Sequence, residues 1–134
     1  MDIMHLLFSF QGRSRRLHYW MAAISAWVVY IVVVGILANV TGMAQHPGLS
    51  VGSILVLPFV VAYIWVSLAL GVKRCHDRDK SGWWLLLFGL ASLTVIGILW
   101  PFIELACLDG TPGPNRFGPS PKGLGEPTVA VPAA

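Results

Sequence analysis

The chain has 134 residues, of which 56% are hydrophobic and only 11% charged, with a mean hydropathy of +0.72 and a formal charge of +3. A soluble domain carries about 25% charged residues, so there is too little polar material here to cover a globule in water. One domain usually takes about 100–200 residues, which excludes a multi-domain enzyme. The composition describes a small single domain dissolved in a bilayer.

The chain opens MDIMHLLFSF, with Ile3, Leu6, Leu7 and Phe10 on one helical face ahead of a basic cluster. That pattern predicts a short interfacial helix, the alternative being a greasy, partly ordered terminus. No basic stretch precedes the short apolar run, so a secretory signal is not expected.

Three uncharged runs follow, 19–40, 49–72 and 83–103, of 22, 24 and 21 residues. Crossing a ~30 Å hydrocarbon core takes about 20 apolar residues in a helix. A helix also satisfies its backbone polar groups internally, as lipid requires. The expectation is an all-α, polytopic integral membrane protein of about three transmembrane helices. A single membrane domain would cover 1–121, and the Pro/Gly-rich chain from 122 to 134 would be a disordered tail. Small-xxx-small spacings at Ala22/Ala26 and Ser67/Gly71 would let the helices approach closely.

The connectors differ sharply. Residues 41–48 hold Gly42, Pro47 and Gly48 and no charge, whereas 73–82 read KRCHDRDKSG. Ser81 is a plausible N-cap for the helix that opens at Trp83. With three crossings, seven of the nine Lys/Arg fall on one face, which the positive-inside rule makes cytoplasmic together with the N-terminus. Tyr19, Trp20, Trp83 and Trp84 fall at that same interface, where amphipathic rings prefer to sit. Trp27 and Trp65 lie at similar depth and are expected to pack within the bundle. The third run is interrupted by Gly89, Gly97 and Pro101. A full crossing is expected from its length, with a re-entrant segment as the alternative; that alternative would put all nine basic residues on one side.

Arg13, Arg15 and Arg16 together with Lys73, Arg74, Arg78 and Lys80 would form a basic collar able to hold anionic headgroups or a partner, each contributing ~1 kcal/mol. The other reading is that these residues fix topology and pair internally with Asp77 and Asp79. No nucleic-acid module accompanies them, so no nucleic acid is expected as partner. His76-Asp77 invites a catalytic reading, but neighbours on a helix point about 100° apart. His5, His18, His46 and His76 lack ligand spacing, so no metal or cofactor is expected. No G-x-S-x-G, HExxH or Walker motif is present, and an enzyme is not expected. A crossing third run would place Glu104 at the outer interface, and Cys75 and Cys107 on opposite faces as unpaired thiols.

Three motifs carry a resemblance. They are Gly12-Arg13-x-x-Arg16-x-x-Tyr19-Trp20, then Arg74-x-His76-Asp77-x-x-x-Ser81-Gly82-Trp83-Trp84, then Gly110-Thr111-Pro112-Gly113-x-Asn115-Arg116-Phe117-Gly118-Pro119-x-Pro121. In this order, with these intervening apolar runs, the chain resembles the family of small bacterial inner-membrane proteins catalogued as domain of unknown function 805. The resemblance implies a multi-pass protein of the bacterial cytoplasmic membrane and brings no activity or catalytic residue with it. Cys75 stands where the family usually has an aliphatic residue, and Pro114 and Ser120 where acids are common. In the tail, Asn115 and Arg116 could hydrogen-bond back onto helix ends as a folded cap, a role in stability. The sequence reads best as a structural, interaction or accessory membrane protein contacting anionic lipid or a partner, which could be a second copy. The alternative is an oligomeric channel or small-solute transporter.

Overall fold

The computed structural model describes residues 3–43, 45 and 50–123, and every regular element among them is helical. In chain order these are α1 (Ile3–Phe8), α2 (Arg16–Val40), α3 (Val51–Asp77), α4 (Trp84–Ala91) and α5 (Val95–Phe102), which runs on into a π-helical turn (Ile103–Cys107). Two of them, α2 and α3, are long and apolar enough to cross a membrane. Their 25 and 27 residues measure about 38 and 40 Å, more than the thickness of a hydrocarbon core.

These two helices pair antiparallel. Ala22 of α2 packs with Val66 and Leu70 of α3, and further along the Tyr30 ring stacks on Tyr63 with centroids 4.6 Å apart. At the far end Gly52 comes so close that a Cβ there would meet Thr41 Oγ1 at 2.2 Å. Ser50 and Ser53 build a reciprocal capping box that satisfies first-turn amides of α3. At the other end of α3, Lys80 N donates to Cys75 O and Asp79 N to His76 O, a Schellman closure with Asp79 at φ 57°. Both helices therefore run past the apolar sequence at this end, to Arg16 and to Asp77.

The third apolar run is not one continuous helix. It forms α4 and α5, eight residues each, joined by a turn at 92–94. α4 is about 12 Å long, and α5 with its π turn under about 20 Å, so neither arm alone has crossing length. The arms lie together: Trp100 meets Trp84 edge-on at 6.2 Å and Phe88 at 5.4 Å. The π turn then arrives where the run began, with Glu104 ion-paired to Arg78 at 2.8 Å and to Lys80. The expected single helix over 83–103 is thus replaced by a helical hairpin whose two ends meet. Its cause is local. Thr94 caps α5 by accepting from Gly97 N at 3.0 Å, and its own hydroxyl donates to Ala91 O. Gly97 lies against that carbonyl: a Cβ would sit 1.8 Å from Ala91 O. With Ser92 Oγ bonded to Phe88 O, hydroxyls and turn bonds occupy backbone groups that a helix break leaves open.

The N-terminal segment does form a helix, α1, whose Leu7 packs against the Ala22–Val66–Leu70 cluster. Beyond it Phe10 meets Trp65 edge-on at 5.0 Å. Trp65 makes this contact while still 48% exposed, and Trp27 is 54% exposed, so neither ring is buried in the bundle as expected. Pro47, Gly48 and His46 of the neutral connector, and residues 124–134 of the expected tail, lie outside the described residues.

Candidate functional site

Where α3 ends, four parts of the chain converge on Asp77: the segment before α2, the last turn of α3, the π turn, and the tail. Asp77 receives Arg13 Nε at 3.1 Å and the Arg74 guanidinium from one turn earlier on its own helix. All three residues are buried, Arg74 at 0% exposure and Arg13 at 6%. A buried charge is tolerated only when paired and hydrogen-bonded, and here carbonyls complete the shell. Arg74 Nε donates to Leu105 O at 2.7 Å, and its other nitrogens donate to Ser14 O and Leu108 O. Arg13 donates to Gly113 O and Thr111 O, each at 2.7 Å.

The tail folds over this centre. Thr111 N donates to Asp77 O at 2.8 Å, and Asn115 Nδ2 to His76 O at 2.9 Å. Asn115 and Gly118 exchange backbone hydrogen bonds that close a small turn. The Phe117 ring of that turn stacks on His76 at 3.9 Å, and Arg116 pairs with Asp79 at 3.1 Å. His76 Nδ1 lies 3.3 Å from Gly12 O, so the ring is enclosed by the segment before α2 and by the tail. Two glycines make the fit possible. Gly113 holds φ 76°, and Gly110 passes so close that a Cβ would lie 1.9 Å from Asp77 Oδ2. Asn115 and Arg116 do bond back onto the end of α3, as the sequence suggested.

The remaining motif residues shape the rim. Tyr19 packs against both apolar clusters, and Trp20 Nε1 donates to Ala106 O at 3.1 Å. Ser81 Oγ accepts from Trp83 N, Gly82 lies against Val72, and Lys80 Nζ sits 4.5 Å over Trp84. Trp83 is 77% exposed, and Pro121 O accepts from Arg15 Nε. Pro119 is exposed in the same turn.

The basic collar thus divides. Arg13, Lys73 and Arg74 are interior, Arg78 and Lys80 turn to Glu104, and Arg15 and Arg16 stay at the surface. Burial pushes the Glu104 carboxyl up, but the hydrogen bond from Lys80 and the Arg78 charge outweigh it and hold it below the usual carboxylate range. Asp109 is also held low, chiefly by a hydrogen bond from Lys122, with Arg16 adding to the effect. Glu104 was expected at the opposite interface and proves part of this end. Its signal in the sequence was the Ser92–Thr94 break, which halves the run before it. Cys75 and Cys107, expected on opposite faces, are both here as free thiols, Cys75 buried and Cys107 exposed. Among the described residues no three His, Cys, Asp or Glu side chains converge as metal ligands would.

Two apolar helices of crossing length, a short helical hairpin and a buried arginine–aspartate cap define a small helical membrane protein. Its sequence relatives bear this out. The model of the family described as "Protein of unknown function (DUF805)" matches residues 7–119, and the chain belongs to that family. It is similar to the Escherichia coli inner membrane protein YhaH, 38% identical over 118 residues, covering 84% of this chain and 87% of that one. The E. coli inner membrane protein YhaI is 35% identical over 113 residues, covering 84% and 86%. The E. coli uncharacterized protein YiiR is 29% identical over 140 residues, covering 88% and 89%. No solved structure matches.

Proposed function

We propose that the protein is a two-span inner-membrane protein whose polar end is cytoplasmic and serves as an interaction platform for anionic lipid or a membrane partner. One observation carries this reading. The re-entrant hairpin returns the tail to the end where α2 begins, so all nine Lys/Arg gather there against four acids among the described residues. Such segregation is what the positive-inside rule associates with the cytoplasmic face, and a basic face at headgroup depth attracts anionic lipid.

The buried cap leaves the surface charge in place, because Asp77 and backbone carbonyls serve the interior arginines. Arg15, Arg16, Arg116 and Lys122 remain on the outside. Purification in mild neutral detergent tests the proposal. Anionic phospholipid, or a membrane-protein partner released by high salt, is expected to accompany the chain. A monomer that carries no partner and no lipid preference overturns it.

A further inference from the structure

Beside the cap, the first turns of α2 and the π turn enclose a groove of about 550 Å³. Its polar rim is Arg15, Arg16 and Lys122, and its inner wall is Leu17, Trp20 and Cys107. The Arg16 and Lys122 side chains are each 44% exposed, and Arg15 is exposed as well. Arg15 uses Nε on Pro121 O. One acid faces these three cations: Asp109 pairs with Arg16 at 2.9 Å and with Lys122 at 2.8 Å. The groove therefore keeps an excess of positive charge.

The wall is not suited to a free ion. Leu17 is 65% exposed and shares a helix face with Trp20. Trp20 continues the apolar surface to Phe102, whose ring lies 6.1 Å away and is itself half exposed. Cations at one end and a strip of apolar side chains leading away from them match a molecule with an anionic head and a hydrocarbon tail. We propose that this groove is a binding site for one anionic phospholipid, its phosphate held by Arg15, Arg16 and Lys122 and an acyl chain laid along Leu17, Trp20 and Phe102. The proposal rests on the reading of the polar end as a lipid-facing platform and names the place on it. Asp109 competes with the phosphate for Arg16 and Lys122.

Titrating the detergent-purified protein with phosphatidylglycerol and with phosphatidylcholine of the same chains, read by native mass spectrometry, tests the assignment. Wild type is expected to retain phosphatidylglycerol preferentially, and millimolar inorganic phosphate is expected not to displace it. Each cation near the headgroups contributes about a fivefold factor, so Arg15→Gln with Lys122→Gln should weaken retention by about 25-fold. Asp109→Asn should strengthen it, a gain that misfolding cannot produce. Arg116→Gln removes a charge from the same face outside the groove and should change little. If Arg116→Gln weakens binding as much as each groove substitution, attraction is spread over the face, and the groove assignment fails while the platform reading stands. Displacement by inorganic phosphate, or no gain from Asp109→Asn, also overturns the groove. No preference for phosphatidylglycerol in wild type overturns it together with lipid as the platform's ligand.

Discussion

Glu104 Oε1 stands 2.8 Å from the Arg78 guanidinium, although the whole third apolar run separates them in sequence. Any arrangement in which 83–103 crosses a bilayer would put these two groups about 30 Å apart. The pair therefore fixes both ends of the hairpin to one end of α3. The expected outcome is that single cysteines placed at Gln11 and at Gly123, in a background lacking Cys75 and Cys107, react with an impermeant thiol reagent from the same side of inner-membrane vesicles. Labelling from opposite sides would restore a third crossing.

Asp77 is the sole carboxylate among the described residues that contacts the buried Arg13 and Arg74. Removing one partner of a buried ion pair leaves charge uncompensated, at a cost of about 3–5 kcal/mol. Asp77→Ala is expected to lower detergent stability by that order in thermal unfolding. Combining Asp77→Asn with Arg13→Gln should cost less than the two single changes summed, since the second removes a charge the first left stranded. Additive losses would mean the groups act independently.

Three glycines separate close approach from mere flexibility. Gly97→Ala drives a methyl into the Ala91 carbonyl and Gly110→Ala drives one into the Asp77 carboxylate. Each should destabilise by about 1–3 kcal/mol, as overpacking does. Gly89, inside α4, has open space around it, and Gly89→Ala should stabilise by up to about 1 kcal/mol. Unfolding midpoints of the three variants measure the contrast; equal effects would count against the hairpin geometry.

Glu104 gives the cap a pH dependence. Its carboxyl is held below the usual range, so it contributes stability that is fully present above the unfolded value of about 4.3 and is lost as pH falls through the lowered folded value. Wild type should exceed Glu104→Gln in unfolding midpoint at pH 7, and the difference should shrink once the pH drops below about 4. A difference that stays constant down to pH 3 would show that the charge on Glu104 is not what stabilises the fold.

Trp65 and Trp27 test the packing of α1. Trp65 contacts Phe10 and donates to Phe8 O, while Trp27 faces outward. Trp65→Ala should lower the unfolding midpoint and Trp27→Ala should leave it nearly unchanged, measured in the same detergent.

Length and apolarity made α2 and α3 legible, because a helix long enough to cross lipid needs little else. Their polar ends were less so. Hydropathy stops where the charges begin, at Tyr19 and Val72, but α2 already begins at Arg16, without a side-chain cap, and α3 runs on until the Asp79 turn closes it. The third run shows the same limit. Its residues are as greasy as those of α3, and only the capping power of Thr94 and the bare backbone of Gly97 redirect it. The motif residues stood out in the sequence, and internal pairing of the arginines with Asp77 was among the readings. What periodicity could not supply was the meeting of Gly110 with Asp77, which depends on chain folded back over 33 positions.

The hairpin has a consequence for its surroundings. α4 packs on α3, and the π turn that follows α5 reaches both long helices. At the tip, however, Leu93, Val95 and Ile96 are each at least 80% exposed. Apolar side chains that bare call for cover by something other than water. The tip, unlike the buried cap, thus depends for its stability on what surrounds the protein.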